Sequence, residues 1–334
     1  MAQAPIAVLG AGSWGTALAI QAARAGRPAR LWGRDPGHIE RLIAERENAR
    51  YLPGARFPQE LTPLPGLAEA IEGSRDILVV VPSHAFRSTL TEVAVHLTST
   101  HRVAWATKGF EQLSGLLPHQ VAREVLGSEL PTAVLSGPTF AKEVGAGLPS
   151  AMTIASSNED FAKDLAESLS DENFRIYTST DIVGVEVGGA VKNVLAIGAG
   201  LSDGLGFGAN TRVALITRGL AEMMRLGVAL GAERDTFMGL AGMGDLVLTC
   251  TDDLSRNRRM GLALAAGKSA AEAQVEIGQV VEGVQAARAV WEVAQREHVE
   301  MPIAEQIFKV LYEDLPVRRA VQTLMGRKLK SEQA

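Results

Sequence analysis

The chain of 334 residues has a single cysteine, Cys250, so no disulfide can form within it. Such thiol poverty fits a reducing compartment, and a cytoplasmic place is expected. There is no run of about 18 apolar residues, so no membrane span is read. The opening MAQAPIAVLG lacks both a basic region and a long apolar stretch, so no signal peptide is read. Positive charge is not in excess: the net charge of −5 argues against a nucleic-acid partner or an anionic membrane surface. The six histidines are scattered, and no Cys/His cluster has metal-ligand spacing, so no metal is expected. What remains is ample: 46% hydrophobic and 21% charged residues suit a globular protein long enough for two domains. Any anion site must be a local gathering of positive groups.

Apolar runs at 6–9, 29–32, 77–81, 103–106, 133–135 and 152–155 are short and bounded by turn residues. They read as strands buried on both faces of a parallel sheet. Helical patterns at 15–25, 37–47, 86–97 and 116–126 lie between several of them, which predicts a doubly wound α/β domain. After about residue 180 the character changes. A long apolar helix is expected over 183–200, followed by helices over 211–230, 255–266, 270–276, 283–297 and 303–313. Pro302 and Pro316 stand where a first helical turn tolerates them. The expectation is an α/β domain over 1–185 and an all-helical domain over 186–334. The polar stretch 326–334 reads as a frayed tail.

The segment AVLGAGSWGTALA at 7–19 places Gly10, Gly12 and Gly15 between a strand and a helix, the context a dinucleotide fingerprint requires. Gly10 allows the tight turn, Gly12 lets backbone approach a pyrophosphate, and Gly15 lets the helix pack closely. The helix N-terminus then offers N–H donors and a positive dipole end. At the ribose end stand Arg34 and Asp35. Arginine pairs with a 2′-phosphate, whereas aspartate hydrogen-bonds a 2′-hydroxyl. Arg34 therefore favours NADPH, with NADH left open, and the two residues also read as a solvated charge pair, Asp35 before Pro36 as a helix cap.

Hydride transfer by a nicotinamide demands a proton donor for the partner oxygen. Lysine fits at two places. Lys108 follows the run 103–106, at the carboxyl end of a strand, where ligands of open sheets gather. Lys192 is a charge inside an apolar helix, costly unless functional or paired with Glu186 or another carboxylate. Burial would lower its pKa toward neutrality. The run Ser255, Arg256, Asn257, Arg258, Arg259 joins a cap, a helix dipole and bidentate donors, a combination suited to phosphate. Asp245, after a glycine-rich turn, could bind a hydroxyl or orient a lysine. Cys250 reads as an inert buried residue before it reads as a nucleophile.

Together the segments GAGSWGTALA, LWGRDP, VPSHAFR, ATKGFE, SGPTFAKEV, VGGAVKNVLAI, GLAGMGDLVLTCTDDLSRNRR and GQVVEG resemble the bacterial NAD(P)-dependent glycerol-3-phosphate dehydrogenases. The resemblance runs in family order from residue 10 to 283. It implies a Rossmann-like domain followed by a helical domain like the C-terminal part of 6-phosphogluconate dehydrogenase. It implies reversible hydride transfer between NAD(P)H and dihydroxyacetone phosphate, giving sn-glycerol 3-phosphate, a phospholipid precursor. On this resemblance Ser13, Trp14, Arg34, Lys108, Ala141, Arg256, Val280 and Glu282 contact the cofactor. Lys108, Gly137, Thr139, Lys192, Asn193, Asp245, Ser255, Arg256 and Asn257 contact the substrate, and Lys192 is the catalytic lysine. A homodimer is kept as a candidate assembly. Two other readings stay open: a related dehydrogenase of a 3-hydroxy acid or ketopantoate-like acid, and a non-catalytic dinucleotide sensor.

Overall fold

The strands of the first half are short because each need only cross the middle of a sheet covered on both faces. The computed structural model describes residues 4–327. Its ten strands are β1 (Ile6–Leu9), β2 (Ala29–Trp32), β3 (Glu47–Asn48), β4 (Leu52–Arg56), β5 (Leu61–Leu64), β6 (Asp76–Val79), β7 (Arg102–Trp105), β8 (Thr132–Ser136), β9 (Ser150–Ala155) and β10 (Phe174–Ser179). Along β1 the pleat sends Ile6 and Val8 into one apolar core and Ala7 and Leu9 into the other. Eight strands form one sheet in the order β10-β9-β8-β7-β6-β1-β2-β5, and β3 pairs with β4 in a separate antiparallel ribbon. In register, Leu9 of β1 faces Trp32 on one side and Val79 on the other. The chain thus runs from β1 outward to β2, then returns to add β6 on the far side. That reversal opens a crevice beyond the carboxyl ends of β1 and β6, where ligands of doubly wound sheets bind.

Two sheet expectations need correction. The sheet is not wholly parallel, since β9 runs antiparallel to β8. The ribbon β3–β4 and the strands β5 and β10 escape the apolar-run reading, because exposed or polar positions interrupt them. Helix ends shift by a few residues; the first helix begins at Ser13 rather than residue 15.

Beyond β10 the chain is helical. The helix Ile182–Gly204 is buried over nearly its whole length and forms the axis of the second core. It is long and apolar enough to cross a membrane, a feature the run count overlooked because Glu186, Lys192 and Asn193 interrupt it. Its most apolar stretch is 89% buried within the fold, as befits a core helix. Around it pack Gly208–Ala229, Asp245–Thr251, Arg256–Ala265, Glu282–Arg296 and Pro302–Tyr312. Pro302 opens its helix, and Pro316 precedes Val317–Met325. The frayed tail expected over 326–334 lies, from residue 328 on, outside the described residues.

Candidate active site

The glycine turn is shaped by close approach. Gly10 has φ +130°, and a Cβ there would sit 2.1 Å from the Val80 carbonyl oxygen. A Cβ on Gly15 would sit 1.8 Å from the carbonyl oxygen of Gly10 itself. The turn therefore folds onto the helix it starts, at the crevice beside β6. An added Cβ on Gly12 meets nothing within 4 Å, so the constraint there is access from the cleft rather than packing. The helix Ser13–Arg24 begins with no side-chain cap on its amides. Uncapped amides at a glycine turn fit a pyrophosphate.

A brace missed in the sequence holds this turn. Asn48, fully buried, donates its Nδ2 to the Ala11 carbonyl (3.0 Å) and to Thr16 Oγ1 (2.8 Å). Ser13 Oγ donates to the Tyr51 carbonyl at 2.7 Å. The β3–β4 ribbon thereby brings Arg50 and Tyr51 to the cleft, the guanidinium 4.9 Å above the ring. A two-residue strand carries no periodicity, so nothing in the sequence pattern marked it.

Arg34 follows the end of β2 but does not line the cleft. It is exposed and lies 3.4 Å from Glu92. Asp35 caps the helix Pro36–Glu45, accepting from the His38 amide at 3.2 Å.

The chemical centre is one aspartate between two lysines. Asp245, 1% exposed, accepts from Lys108 Nζ at 2.7 Å through Oδ2 and from Lys192 Nζ through Oδ1. Lys192 also donates to Thr249 Oγ1 at 3.2 Å, and Thr249 donates on to the Asp245 carbonyl at 2.6 Å. Lys108 arrives from the end of β7, Lys192 from the central helix, and Asp245 from the start of a helix preceded by the π-helical turn Leu240–Gly244. Burial pushes the Lys192 ammonium down to about 8, with Asp245 opposing and Lys108 reinforcing the fall. Burial alone would raise the Asp245 carboxyl; the two lysines override it and hold it below the usual carboxylate range. Glu186, one partner considered for Lys192, is engaged elsewhere: it accepts from Trp105 Nε1 and the His119 amide, both at 2.9 Å.

At the far end of the cleft, Ser255 caps Arg256–Ala265 by accepting from the Arg258 amide at 3.2 Å. Arg256 reaches the Val280 carbonyl at 2.9 Å. Asn257 donates to Asn193 Oδ1 and accepts from the Gly283 amide, both at 2.9 Å, while Asn193 faces Glu282 Oε2 at 3.4 Å. The basic run does not act as a unit. Arg258 is buried against Asp203 (2.7 Å) and Asp253, and Arg259 is exposed outside the cleft. Positions 256 and 258 lie about 200° apart on a helix, so they cannot share a face.

These groups line one cleft of about 820 Å³ between the sheet and the helices. Of the residues picked from sequence, Gly12, Ser13, Trp14, Gly15, Lys108, Thr139, Ala141, Lys192, Asn193, Asp245, Ser255, Arg256, Asn257, Val280 and Glu282 border it. Gly10 and Gly137 do not border it; Gly10 lies against Val80, which does, and Gly137 against Met152. Arg50, Tyr51, Phe140, Thr249 and Gln279 border it too and were missed. Cys250 is fully buried, its thiol pushed up to about 12 by burial, so it is no nucleophile.

A glycine-turn sheet, a helical lobe and a buried lysine with a half-buried second one in the cleft between them define a dinucleotide-dependent oxidoreductase. Residues 5–162 match the model of the NAD-dependent glycerol-3-phosphate dehydrogenase N-terminus, and residues 181–322 that of its C-terminus. The glycerol-3-phosphate dehydrogenase [NAD(P)+] of Aeromonas hydrophila is 57% identical over 99% of both chains. That of Photobacterium profundum is 55% identical over 97% of this chain and 96% of its own. The crystal structure of a glycerol-3-phosphate dehydrogenase from Coxiella burnetii superposes with a TM-score of 0.94 at 49% identity, covering 97% of this chain and 99% of that one. The chain belongs to the NAD-dependent glycerol-3-phosphate dehydrogenase family. A ketopantoate reductase from Ralstonia eutropha, at 16% identity and a TM-score of 0.58, shares the fold alone.

Proposed function

We propose that the chain catalyses reversible hydride transfer between NAD(P)H and dihydroxyacetone phosphate, giving sn-glycerol 3-phosphate for phospholipid synthesis. The observation that carries this is the Lys108–Asp245–Lys192 centre set between the glycine turn and the Ser255–Arg256 helix start. Bound NAD(P)H supplies the hydride. Gly10, Gly12 and Gly15 would give it room; Ser13, Trp14, Lys108, Ala141, Arg256, Val280 and Glu282 would hold it, and Arg34, exposed outside the cleft, would meet only a 2′-phosphate reaching past the rim. Lys192, as ammonium, donates its proton to the developing alkoxide, and as neutral amine takes the hydroxyl proton in the reverse direction. Asp245 fixes the Lys192 Nζ and keeps the lysine protonated enough to donate near neutrality. Lys108 adds positive charge beside the reacting oxygen. Ser255, Arg256 and Asn257 receive the phosphate at an uncharged-to-basic helix start, while Gly137, Thr139 and Asn193 bound the carbon skeleton.

A sensor has no need of a proton donor, and a substrate panel with and without phosphate separates the triose phosphate from a carboxylate substrate, which the same helix start could also receive. The division into a nucleotide part, 1–185, and a substrate part, 186–334, is supported by the change from sheet to helices after β10. A cytoplasmic place fits the one buried thiol. The homodimer is tested by sedimentation or light scattering. The decisive assay follows NAD(P)H oxidation on addition of dihydroxyacetone phosphate. Turnover is expected; a flat trace from folded protein overturns the reading.

A further inference from the structure

We infer that Glu186 is a positioning residue that fixes Lys108 against Lys192 across the domain junction. Both lysines must reach one carboxylate, yet they arrive from different lobes. Lys108 lies in the connection 106–117, between β7 and the helix Pro118–Leu126. One side chain holds both ends of that connection. Trp105, the last residue of β7 and fully buried, donates its indole Nε1 to Glu186 Oε1 at 2.9 Å. His119, in the first turn of the next helix, donates its amide to the same oxygen at 2.9 Å, and its Nδ1 lies 2.6 Å from Oε2. Glu186 stands on the helix that carries Lys192, six residues before it, or about 9 Å along the axis.

The connection has other anchors. Phe110 and Leu117 are buried in the helical core, and Thr107 Oγ1 donates to the Val81 carbonyl at 2.7 Å. These hold its body. Glu186 sets where it starts and ends relative to the Lys192 helix. A carboxyl group 1% exposed in its side chain is costly to bury unless every oxygen is used, and here two N–H donors converge on Oε1 while His119 Nδ1 lies 2.6 Å from Oε2. The Lys192 helix is thus tied to the β7 end by a directional contact that apolar packing cannot supply.

The inference rests on the proposed dehydrogenase reading, and its test separates the two. The experiment is a double-mutant cycle in the full chain: Glu186→Leu, Lys108→Ala and the pair, assayed with dihydroxyacetone phosphate, with thermal melts of each. Glu186→Leu is expected to lower kcat/KM by about 10²-fold, the scale of an ångström-sized misplacement. In the Lys108→Ala background it is expected to cost almost nothing more, because its target is gone. Glu186→Gln, which keeps two acceptor bonds and can donate to His119 Nδ1, is expected to rescue activity to within about threefold. Additive losses, a Glu186→Leu enzyme within about threefold of wild type, or a Glu186→Gln as poor as Glu186→Leu would each overturn the inference. If Glu186→Leu does not fold, Trp105→Phe enters the same cycle, with coupling to Lys108→Ala expected and additivity overturning. A wild-type chain with no turnover would instead sink the dehydrogenase reading.

Discussion

Two buried aspartates in this protein each sit between two cations, at opposite ends of the same sheet. Asp76, the first residue of β6, holds Arg27 at 2.5 Å and Arg102 at 2.6 Å, with Arg102 reaching Asp164 at 2.7 Å. Asp245 holds Lys108 and Lys192 beyond the other end of the strands. Side-chain exposure is similarly low, 2% for Asp76 and 1% for Asp245. For both carboxyls burial pushes upward and the flanking cations win. The difference is the cation. Arginine forms a planar fork and does not release its proton in a protein, so the Asp76 centre can only fasten strands and helices of the sheet domain together. A buried lysine is brought into the titrating range, so the Asp245 centre can move a proton. The carboxyl ends of the strands carry the glycine turn and the cleft; the amino ends carry neither.

The sharpest break of this comparison is to make the two centres alike. Lys192→Ala is expected to lose about 10²–10⁴-fold in kcat while retaining cofactor binding, measured by steady-state kinetics and NADH titration. Lys192→Arg keeps the charge and loses the proton, so it should fall nearly as far; near-normal kcat in either variant refutes the proton role. The pH dependence follows the same logic. Ketone reduction needs the ammonium, so its rate should fall as pH rises through about 8, whereas alcohol oxidation should rise through the same range. For stability the sign is distinct. Lys192 binds fewer protons folded than unfolded between about 8 and its ordinary 10.5, so its contribution makes the fold more stable as pH rises through that window.

The converse change is at Asp76. Asp76→Asn leaves Arg27 buried without a carboxylate and Arg102 with only the half-exposed Asp164, and about 3–5 kcal/mol of stability should go, read by urea unfolding. The kcat of the surviving folded enzyme should hold. A matching loss of kcat with unchanged stability would show that the arginine centre is more than a fastener.

How much of this was legible depends on the sequence distance over which each feature is built. The glycine turn needs only neighbours from Ile6 to Arg24, and its spacing sufficed. Lys192 stood out as a charge in an apolar helix, and Lys108 by following a strand run. Asp245 was picked out after its glycine-rich turn, but its joining of both lysines was not, because it is 137 positions from Lys108 and 53 from Lys192. Asn48 was silent, since a buried amide on a two-residue strand has no pattern to break. Arg258 was misleading, as a basic run looks uniform until the helix turns alternate members to opposite sides. Asp76 was unread, because its partners Arg27 and Arg102 lie 49 and 26 positions away.

Arg256 tests the substrate end. In the free chain it is held by the Val280 carbonyl, a neutral acceptor that a phosphate should displace. Arg256→Ala is expected to remove a charge-assisted bond worth about 1.5–3 kcal/mol, raising KM for dihydroxyacetone phosphate by roughly ten- to a hundredfold. An unphosphorylated ketone should be little affected. Equal losses for both would remove Arg256 from the phosphate.

The smallest effect lies at the rim, where neither burial nor a second cation sharpens the charge. Arg34 is 64% exposed and its partner Glu92 48%, at 3.4 Å, in contrast to both buried centres. Such a pair is worth only about 0.2–1 kcal/mol, so Glu92 cannot hold Arg34 against a dianionic 2′-phosphate. Arg34→Ala should therefore raise KM for NADPH by no more than about tenfold, leave NADH unmoved, and lose part of its effect in high salt. Parallel kinetics with both cofactors decide the matter. An unchanged preference would mean that Arg34 is a solvated surface charge, and that the glycine turn, with Asn48 and Tyr51 behind it, accepts either nucleotide without reading the ribose.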